Sequence, residues 1–265
     1  MSTAARRHRG LAALEWLGAR ATHMFEEVGR FFTMLYLALY WSVRPPFDFR
    51  QWVRQMVRVG VDSIPVVGLT AMFTGMVLAL QTYRGFERFH AESFVASVVS
   101  LSLTRELAPV LAALMIAGRI GSALAAELGT MRVTEQIDAL QAMAVEPIQY
   151  LVVPRVAATT LMLPPLVALA DGIGIAGGFA VAVGLMDANP VVYWEKTFQY
   201  LDLNDVFSGL IKAAAFGLIL SVTGCSKGFY TTGGAEGVGR STTAAVVMAS
   251  LVILLSDFFL TKLLF

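Results

Sequence analysis

Hydrophobic stretches long enough to cross a lipid bilayer recur along the chain. A transmembrane helix needs about 20 consecutive, mostly apolar residues. The runs of sufficient length lie at residues 63–83, 93–118, 151–186, 206–226 and 241–264. The pattern therefore predicts an all-α integral membrane protein, with a transmembrane domain over residues 60–265 that contains about five transmembrane helices.

The third apolar run, residues 151–186, is longer than one straight crossing requires. It contains Pro154, Pro164 and Pro165. Proline inside a helix removes a backbone hydrogen bond and bends the helix. We therefore predict one long, kinked span, with two short re-entrant pieces as the alternative reading.

Residues 1–59 follow a different pattern, in which apolar residues recur at helical spacing and charged residues lie between them. The recurring apolar residues are Leu14, Leu17, Ala21, Phe25, Val28, Phe32 and Leu35. Arg30 and Arg44 leave only a short stretch free of charge between them. This segment is predicted to be an interfacial amphipathic helix that lies in the headgroup layer, and a sixth span is the alternative.

Composition supports the membrane assignment and narrows the chemistry. Hydrophobic residues make up 57% of the chain and charged residues 15%, with a mean hydropathy of +0.67. The net charge of +1 gives no indication of nucleic-acid binding. A single cysteine, Cys225, excludes an internal disulfide, and three scattered histidines do not suggest a metal site. We predict no metal ion and no cofactor bound by this chain.

The distribution of arginine and lysine predicts the orientation of the spans. Arginines crowd the first 58 residues, and short segments rich in Lys and Arg stay in the cytoplasm. With an odd number of spans, the loops at 119–155 and 227–240 are also cytoplasmic. The acidic loop at 187–205 and the C-terminus are then on the opposite, periplasmic side.

The loop after the second span, residues 119–147, predicts a short amphipathic helix. Gly129 is expected to end the preceding helix in a left-handed cap. Thr134 is a suitable N-cap, Glu135 follows it in the first turn, and Pro147 stops the element. A helix held parallel to the membrane has the shape needed to seat in a groove of a soluble partner, and a solvated loop is the alternative.

The string AELGTMRVTEQIDALQAMAVEPIQYLVVPR, with LTRELAPVLAALMIAGRIGSALAAELG before it, resembles the signature of the MlaE/YrbE permease family. Later elements, Lys212 in the fourth span and GVGRSTTAAVV in the fifth, extend the resemblance over essentially the whole chain. The resemblance implies a homodimeric ABC permease of a bacterial inner membrane, with two ATPase subunits that bind ATP and Mg and an MCE-domain (MlaD-like) periplasmic ring. The implied cargo is phospholipid moving between inner and outer membranes.

The resemblance also assigns candidate residues to the contact with the ATPase and to the lipid cavity. The loop helix corresponds to the coupling helix that contacts the ATPase. The residues implied for it are Glu127, Gly129, Thr130, Met131, Thr134, Glu135, Asp138 and Ala139. The residues nominated for the wall of the lipid cavity are Val77, Leu78, Tyr83 and Leu107.

Charged residues inside the spans are the remaining candidates, because a charge in the bilayer usually faces protein or water. Arg105 and Glu106 are adjacent near the middle of the second span, so each needs another partner. One interpretation places them at a dimer cavity, where Arg105 attracts a lipid phosphate and Glu106 pairs with a cation such as Lys212. The other is a structural ion network, and we assign Asp171 and Lys212 to such an intramembrane network.

The segment from Gly234 to Ser241 has the glycine spacing of a phosphate-binding loop, but the lysine is replaced and the segment joins two spans. We predict a tight turn, with Arg240 available to a lipid headgroup or to the ATPase. Gly174 and Gly178 are expected to allow close helix packing. The chain then draws its energy from a separate ATPase. A secondary transporter with Glu106 and Asp171 as proton carriers is the alternative, and no catalytic constellation supports an enzyme.

Overall fold

The computed structural model describes residues 3–45 and 48–264, with side chains in the first helix at positions 18, 20 and 22 and from 24 onward. Regular structure in this part of the chain is helical. The helices are α1 (Thr3–Ser42), α2 (Phe49–Val59), α3 (Ile64–Glu87), α4 (Val95–Ser102), α5 (Ala108–Ile116), α6 (Ser122–Val133), α7 (Gln136–Ala142), α8 (Val153–Gly184), α9 (Pro190–Tyr200), α10 (Leu203–Phe229) and α11 (Gly234–Leu264). Wider π-helical turns occur at Leu103–Leu107, Ala117–Gly121 and Ile148–Val152, and 3₁₀ turns at Val61–Ser63 and Glu92–Phe94.

Five helical runs among the described residues are long and apolar enough to cross a membrane, which confirms the predicted number of spans. The runs are Phe49–Glu87, Glu92–Val133, Ile148–Gly184, Leu203–Phe229 and Gly234–Leu264. The second run continues well past the predicted end at residue 118, because its two π-helical turns join α4, α5 and α6 without a break. The third is one helix through Pro164 and Pro165, and the re-entrant alternative does not occur.

Helix α1 packs on the bundle through its C-terminal part. Met34 and Ala38 are buried in the same apolar core as Val59 and the spans. Phe25, Val28 and Phe32 of the predicted apolar face are exposed rather than packed on the bundle, whereas Leu35 packs on the core. The predicted positions Leu14, Leu17 and Ala21 lie outside the described side chains. Placement of α1 in the headgroup layer stays a prediction.

Small residues bring α3 and α8 into close contact. A Cβ atom added at Gly75 would overlap the carbonyl oxygen of Gly174, and one at Gly178 would lie 3.0 Å from the Tyr193 hydroxyl. These two helices make the most extensive interhelical contact of the described bundle. Gly174 and Gly178 therefore permit close packing, as predicted from their spacing.

The turn between α10 and α11 lies earlier than predicted. Gly233 and Gly234 have φ angles of 90° and 66°, a left-handed conformation that glycine adopts without steric cost. The segment from Gly234 to Ser241 is already part of α11. The predicted turn over that segment is therefore wrong, since two consecutive glycines complete the reversal.

The bundle has two distinct ends. At one end, which we call the α7 end, the last turns of α6 pack on the α10–α11 turn, so that Gly129 faces Thr231. At the other end, which we call the α9 end, α9 packs against α4, and Tyr193 is buried beside Phe179.

Candidate lipid site and coupling helix

Lys212 is the centre of a charged network inside the bundle. It is fully buried, and its Nζ lies 2.8 Å from a Glu106 carboxylate oxygen and 3.1 Å from Asp257 Oδ1. The ammonium also donates to the Thr261 hydroxyl at 2.7 Å and to the Arg105 carbonyl at 3.1 Å. The Thr261 hydroxyl is in turn 3.1 Å from Glu106 Oε1. A buried ammonium needs such compensation, because an uncompensated charge is costly in a medium of low polarity.

Arg105 pairs with a different carboxylate. Its Nη2 and Nε atoms lie 2.7 Å and 2.8 Å from Asp205 Oδ1. Asp205 is held in place because its other oxygen accepts the backbone N–H of Asp202, in a capping box at the start of α10. Arg105 and Glu106, which are adjacent on the second span, thus form ion pairs with two different residues of α10.

The π-helical turn at Leu103–Leu107 contains both Arg105 and Glu106. Single π turns widen a helix and are frequent at functional sites. Arg105 is 13 positions after Glu92, or about 20 Å along the run at 1.5 Å per residue. The run extends to Val133, so the charged pair lies in the half of the run nearer the α9 end. It is also near the middle of the apolar stretch 93–118, where the sequence pattern placed it.

The charged groups are not fully enclosed by this chain. The side chains of Arg105 and Glu106 are 40% and 37% exposed. Leaving charge against hydrocarbon costs at least about 2.5–3.5 kcal/mol on insertion scales. This face therefore has to meet polar material in the membrane: water, a lipid headgroup or another protein surface.

The nominated cavity residues divide into two groups. Leu78, Tyr83 and Leu107 are partly buried and pack on one apolar cluster between α3, α4 and α8, together with Leu103. Val77 is 50% exposed and points away from this cluster. The structure therefore brings three of the four nominated residues to one apolar cluster, and Leu107 belongs to the same π-helical turn as Arg105 and Glu106.

Two other predicted residues lie elsewhere. Asp171 is buried on α8, and its Oδ1 has no hydrogen-bond partner among the described residues. No ion pair in the described part of the chain joins Asp171 to Lys212. Arg240 precedes Asp257 by 17 positions, or about 25 Å along α11. Arg240 therefore does not contact the charged network, and its role toward a headgroup or the ATPase stays a prediction.

Helix α7 is held to the bundle by few side chains. Ile137 is fully buried, and Leu140 packs on the main core. Asp138 is exposed and pairs with Arg132 at 2.6 Å, and Ala139 is exposed. A short amphipathic helix with an outward polar face is therefore present, as predicted from its pattern.

The caps of α7 differ from those predicted. Helix α6 continues through Gly129 to Val133, and Thr134 is its C-cap rather than the N-cap of α7. Glu135 is the N-cap of α7, with a left-handed φ of 61°. Gly129 cannot end the helix where it was expected to, because it is needed inside α6 for close contact with Thr231.

The remaining coupling candidates lie on α6. The Thr130 carbonyl accepts the Thr134 hydroxyl at 2.8 Å, and Met131 packs on the main core. Glu127 forms ion pairs with Arg58 of α2 and with Arg155 of α8, the latter at 3.2 Å. Glu127 therefore ties three helices together beneath α7 and does not lie on its outward face.

Several partners in the charged clusters were not predicted from the sequence. Asp205, Asp257 and Thr261 complete the two charged clusters, and none was nominated. Asp257 and Thr261 are four positions apart, so they share one face of α11. That spacing was the available signal, because a polar pair on one face of an apolar span needs a partner.

Comparison with known proteins places the chain in a family. A family model described as Permease MlaE matches residues 52–263. A "Probable ABC transporter permease protein" of Rickettsia bellii is 49% identical over 94% of this chain and 96% of its own length. The "Intermembrane phospholipid transport system permease protein MlaE" of Haemophilus influenzae is 38% identical over 94% of this chain and 96% of its own. The chloroplastic "Protein TRIGALACTOSYLDIACYLGLYCEROL 1" of Arabidopsis thaliana is 40% identical over 82% of this chain and 62% of its own. The chain therefore belongs to the MlaE permease family.

Proposed function

We propose that this chain is the membrane-spanning subunit of an ABC-type transporter that moves phospholipid between two membranes. Family membership and the phospholipid transport named for the Haemophilus relative support the class of transporter and its cargo. The chain itself is the permease, and ATP and Mg are bound by a separate ATPase subunit.

The observation that carries the proposal is the half-exposed pair Arg105 and Glu106 on the surface of a membrane-spanning bundle. A second copy of the chain that covers this face would enclose a cavity with charged groups and apolar walls. Arg105 would then face the phosphate of a lipid, and Leu78, Tyr83 and Leu107 would line the acyl-chain region. A homodimer is therefore the assembly that we propose.

At the α7 end, the outward face of α7 is the proposed seat for the ATPase. Ala139 and Asp138 are exposed there, and Ile137 anchors the helix to the core, so movement of the partner would reach the spans through α6. The positive-inside rule places this end in the cytoplasm and the α9 end in the periplasm, where an MCE-domain ring would receive lipid. The membrane is then a bacterial inner membrane.

The proposal is tested by purifying the tagged chain from its native membrane in mild detergent. Mass spectrometry of the complex should identify an ABC ATPase, an MCE-domain protein and phospholipid. Ala139→Trp adds bulk to the outward face of α7 and should release the ATPase. Ala235→Trp changes another exposed alanine, in the first turn of α11, and should retain it.

Transport is tested with the assembled complex in vesicles that contain a fluorescent phospholipid. Transfer should require ATP, should persist when a protonophore collapses the proton gradient, and should fall at least tenfold in Arg105→Gln. Transfer that proceeds without the ATPase and stops with the protonophore would establish a secondary transporter and exclude the proposed function.

A further inference from the structure

A second amphipathic cleft lies between α1 and the α10–α11 hairpin, and its polar mouth at Arg240 is about 25 Å along α11 from Asp257 of the charged network. Its polar part has a volume of about 180 Å³ and its apolar part about 170 Å³, and the two share Glu27, Ser226 and Lys227. The polar part is also lined by Arg30, Tyr230, Arg240, Ser241 and Ala244. The apolar part is also lined by Val28, Phe31, Phe32, Thr223, Met248 and Val252.

The polar part carries one uncompensated positive charge. Lys227 pairs with Glu27, and Arg30 pairs with Glu26 while its guanidinium lies 5.0 Å from the centre of the Tyr230 ring. Arg240 is exposed and forms no ion pair with any residue in the described part of the chain. Its guanidinium lies close to Gly233: the Nη2 atom of Arg240 is 3.2 Å from the position that a Cβ atom added at Gly233 would take.

The dimensions of the cleft match one leaflet of a bilayer. Arg240 and Val252 are 12 positions apart on α11, or about 18 Å along the helix axis. The hydrocarbon core of a bilayer is about 30 Å thick, so one leaflet is about 15 Å deep. A charged group at the mouth and an apolar groove of this depth therefore fit a headgroup and one acyl chain.

We propose that this cleft holds a phospholipid of the leaflet at the α7 end, as a site separate from the cargo cavity. Arg240 contacts the phosphate, with Lys227 and Arg30 beside it, and an acyl chain lies along Phe32 and Val252. Arginine suits this role because its fork of N–H donors matches phosphate oxygens. The lipid would fasten α1 to the α10–α11 hairpin. The proposal does not depend on the direction or energy source of transport.

The first test is native mass spectrometry of the purified full chain, which counts the phospholipids that remain bound after delipidation. Arg240→Gln should lower the occupancy of one retained phospholipid about tenfold, the scale of one charge-assisted contact. Arg54→Gln, the same substitution at an exposed arginine of α2, should leave that occupancy unchanged. Equal retention by Arg240→Gln and the unchanged chain would overturn the proposal.

A second variant separates loss of the site from loss of the fold. Ala244→Trp fills the polar part of the cleft without removing a charge, so it should expel the same lipid. Both variants should keep the buried Cys225 unreactive toward a thiol dye until heated, as in a folded chain. Retention of the lipid by folded Ala244→Trp would place it elsewhere and would contradict the assignment.

The nature of the ligand is tested by titrating the delipidated chain and measuring its melting temperature. Short-chain phosphatidylglycerol should raise the melting temperature of the unchanged chain and not that of Arg240→Gln. Inorganic phosphate and short-chain diacylglycerol should each have no effect. If inorganic phosphate raises the melting temperature as much as the lipid does, the ligand is a free anion and the proposal is wrong. If the complex purified with Arg240→Gln keeps the lipid but loses the ATPase, the cleft is a protein-docking surface instead.

Discussion

Replacing Lys212 by methionine removes the cation that pairs with both Glu106 and Asp257. Methionine is similar in length and apolar, so the substitution tests charge rather than volume. The variant leaves two carboxylates without their ammonium partner at 2.8 Å and 3.1 Å. Breaking a fully buried ion pair costs about 3–5 kcal/mol.

The cost of breaking the Lys212 ion pairs should be at the lower end of about 3–5 kcal/mol. The side chains of Glu106 and Asp257 are 37% and 21% exposed, so their carboxylates retain some solvation. We expect a loss of about 3 kcal/mol in the isolated chain. For a chain of this size, that corresponds to a fall in melting temperature of about 6–12 °C.

Cys225 provides the assay, since it is the single cysteine and is fully buried. A dye that fluoresces on reaction with a thiol therefore reports unfolding as the detergent-solubilised chain is heated. Lys262→Met is the matched control, because Lys262 is exposed and forms no ion pair with any residue that the structure describes. The control should melt within about 2 °C of the unchanged chain.

The triple variant Lys212→Met, Glu106→Gln, Asp257→Asn removes all three charges and should recover at least half of the lost stability. Replacing a buried ion network as a whole costs less than breaking it. The reasoning would be refuted by a Lys212→Met chain that melts with the control, or by a triple variant no more stable than the single one.

Three further substitutions test packing and backbone geometry with the same melting assay. Gly75→Ala should lower the melting temperature by about 3–10 °C, because the added Cβ overlaps the Gly174 carbonyl. Gly85→Ala is the control and should not lower it, because the added Cβ meets open space. Equal effects of the two substitutions would contradict close packing of α3 on α8. Burial raises the pKa of Tyr193 to about 12, and its hydroxyl has no partner among the described residues. Tyr193→Phe should therefore melt no lower than the unchanged chain, and a fall above about 4 °C would reveal a hydrogen bond to that hydroxyl. Glu135→Gly should raise the melting temperature by about 3 °C by relieving the left-handed φ, and a decrease would show that the side chain itself is needed.

The sequence by itself determined the elements whose cause is local. An apolar run of about 20 residues is long enough to cross a membrane whatever its neighbours are, so five spans were predicted, and the described residues form five helical runs of that kind. The amphipathic pattern around Ile137 and Leu140 likewise predicted α7, because apolar residues that recur at helical spacing identify the face of a helix that is buried. The family signature was readable for the same reason, as a continuous string.

Only the tertiary structure decided which charged residues meet. Glu106 and Lys212 are 106 positions apart, and Asp257 lies a further 45 positions along the chain, so their contacts depend on how three spans rotate against one another. The π-helical turn at Leu103–Leu107 changes the facing of Arg105 in a way that an ideal helical wheel does not contain. Lys212 therefore pairs with Glu106 and Asp257, and in the described part of the chain it has no ion pair with Asp171, with which the sequence grouped it. Apolar patterning specifies that a helix spans the membrane, whereas the pairing of its charges is fixed by long-range packing.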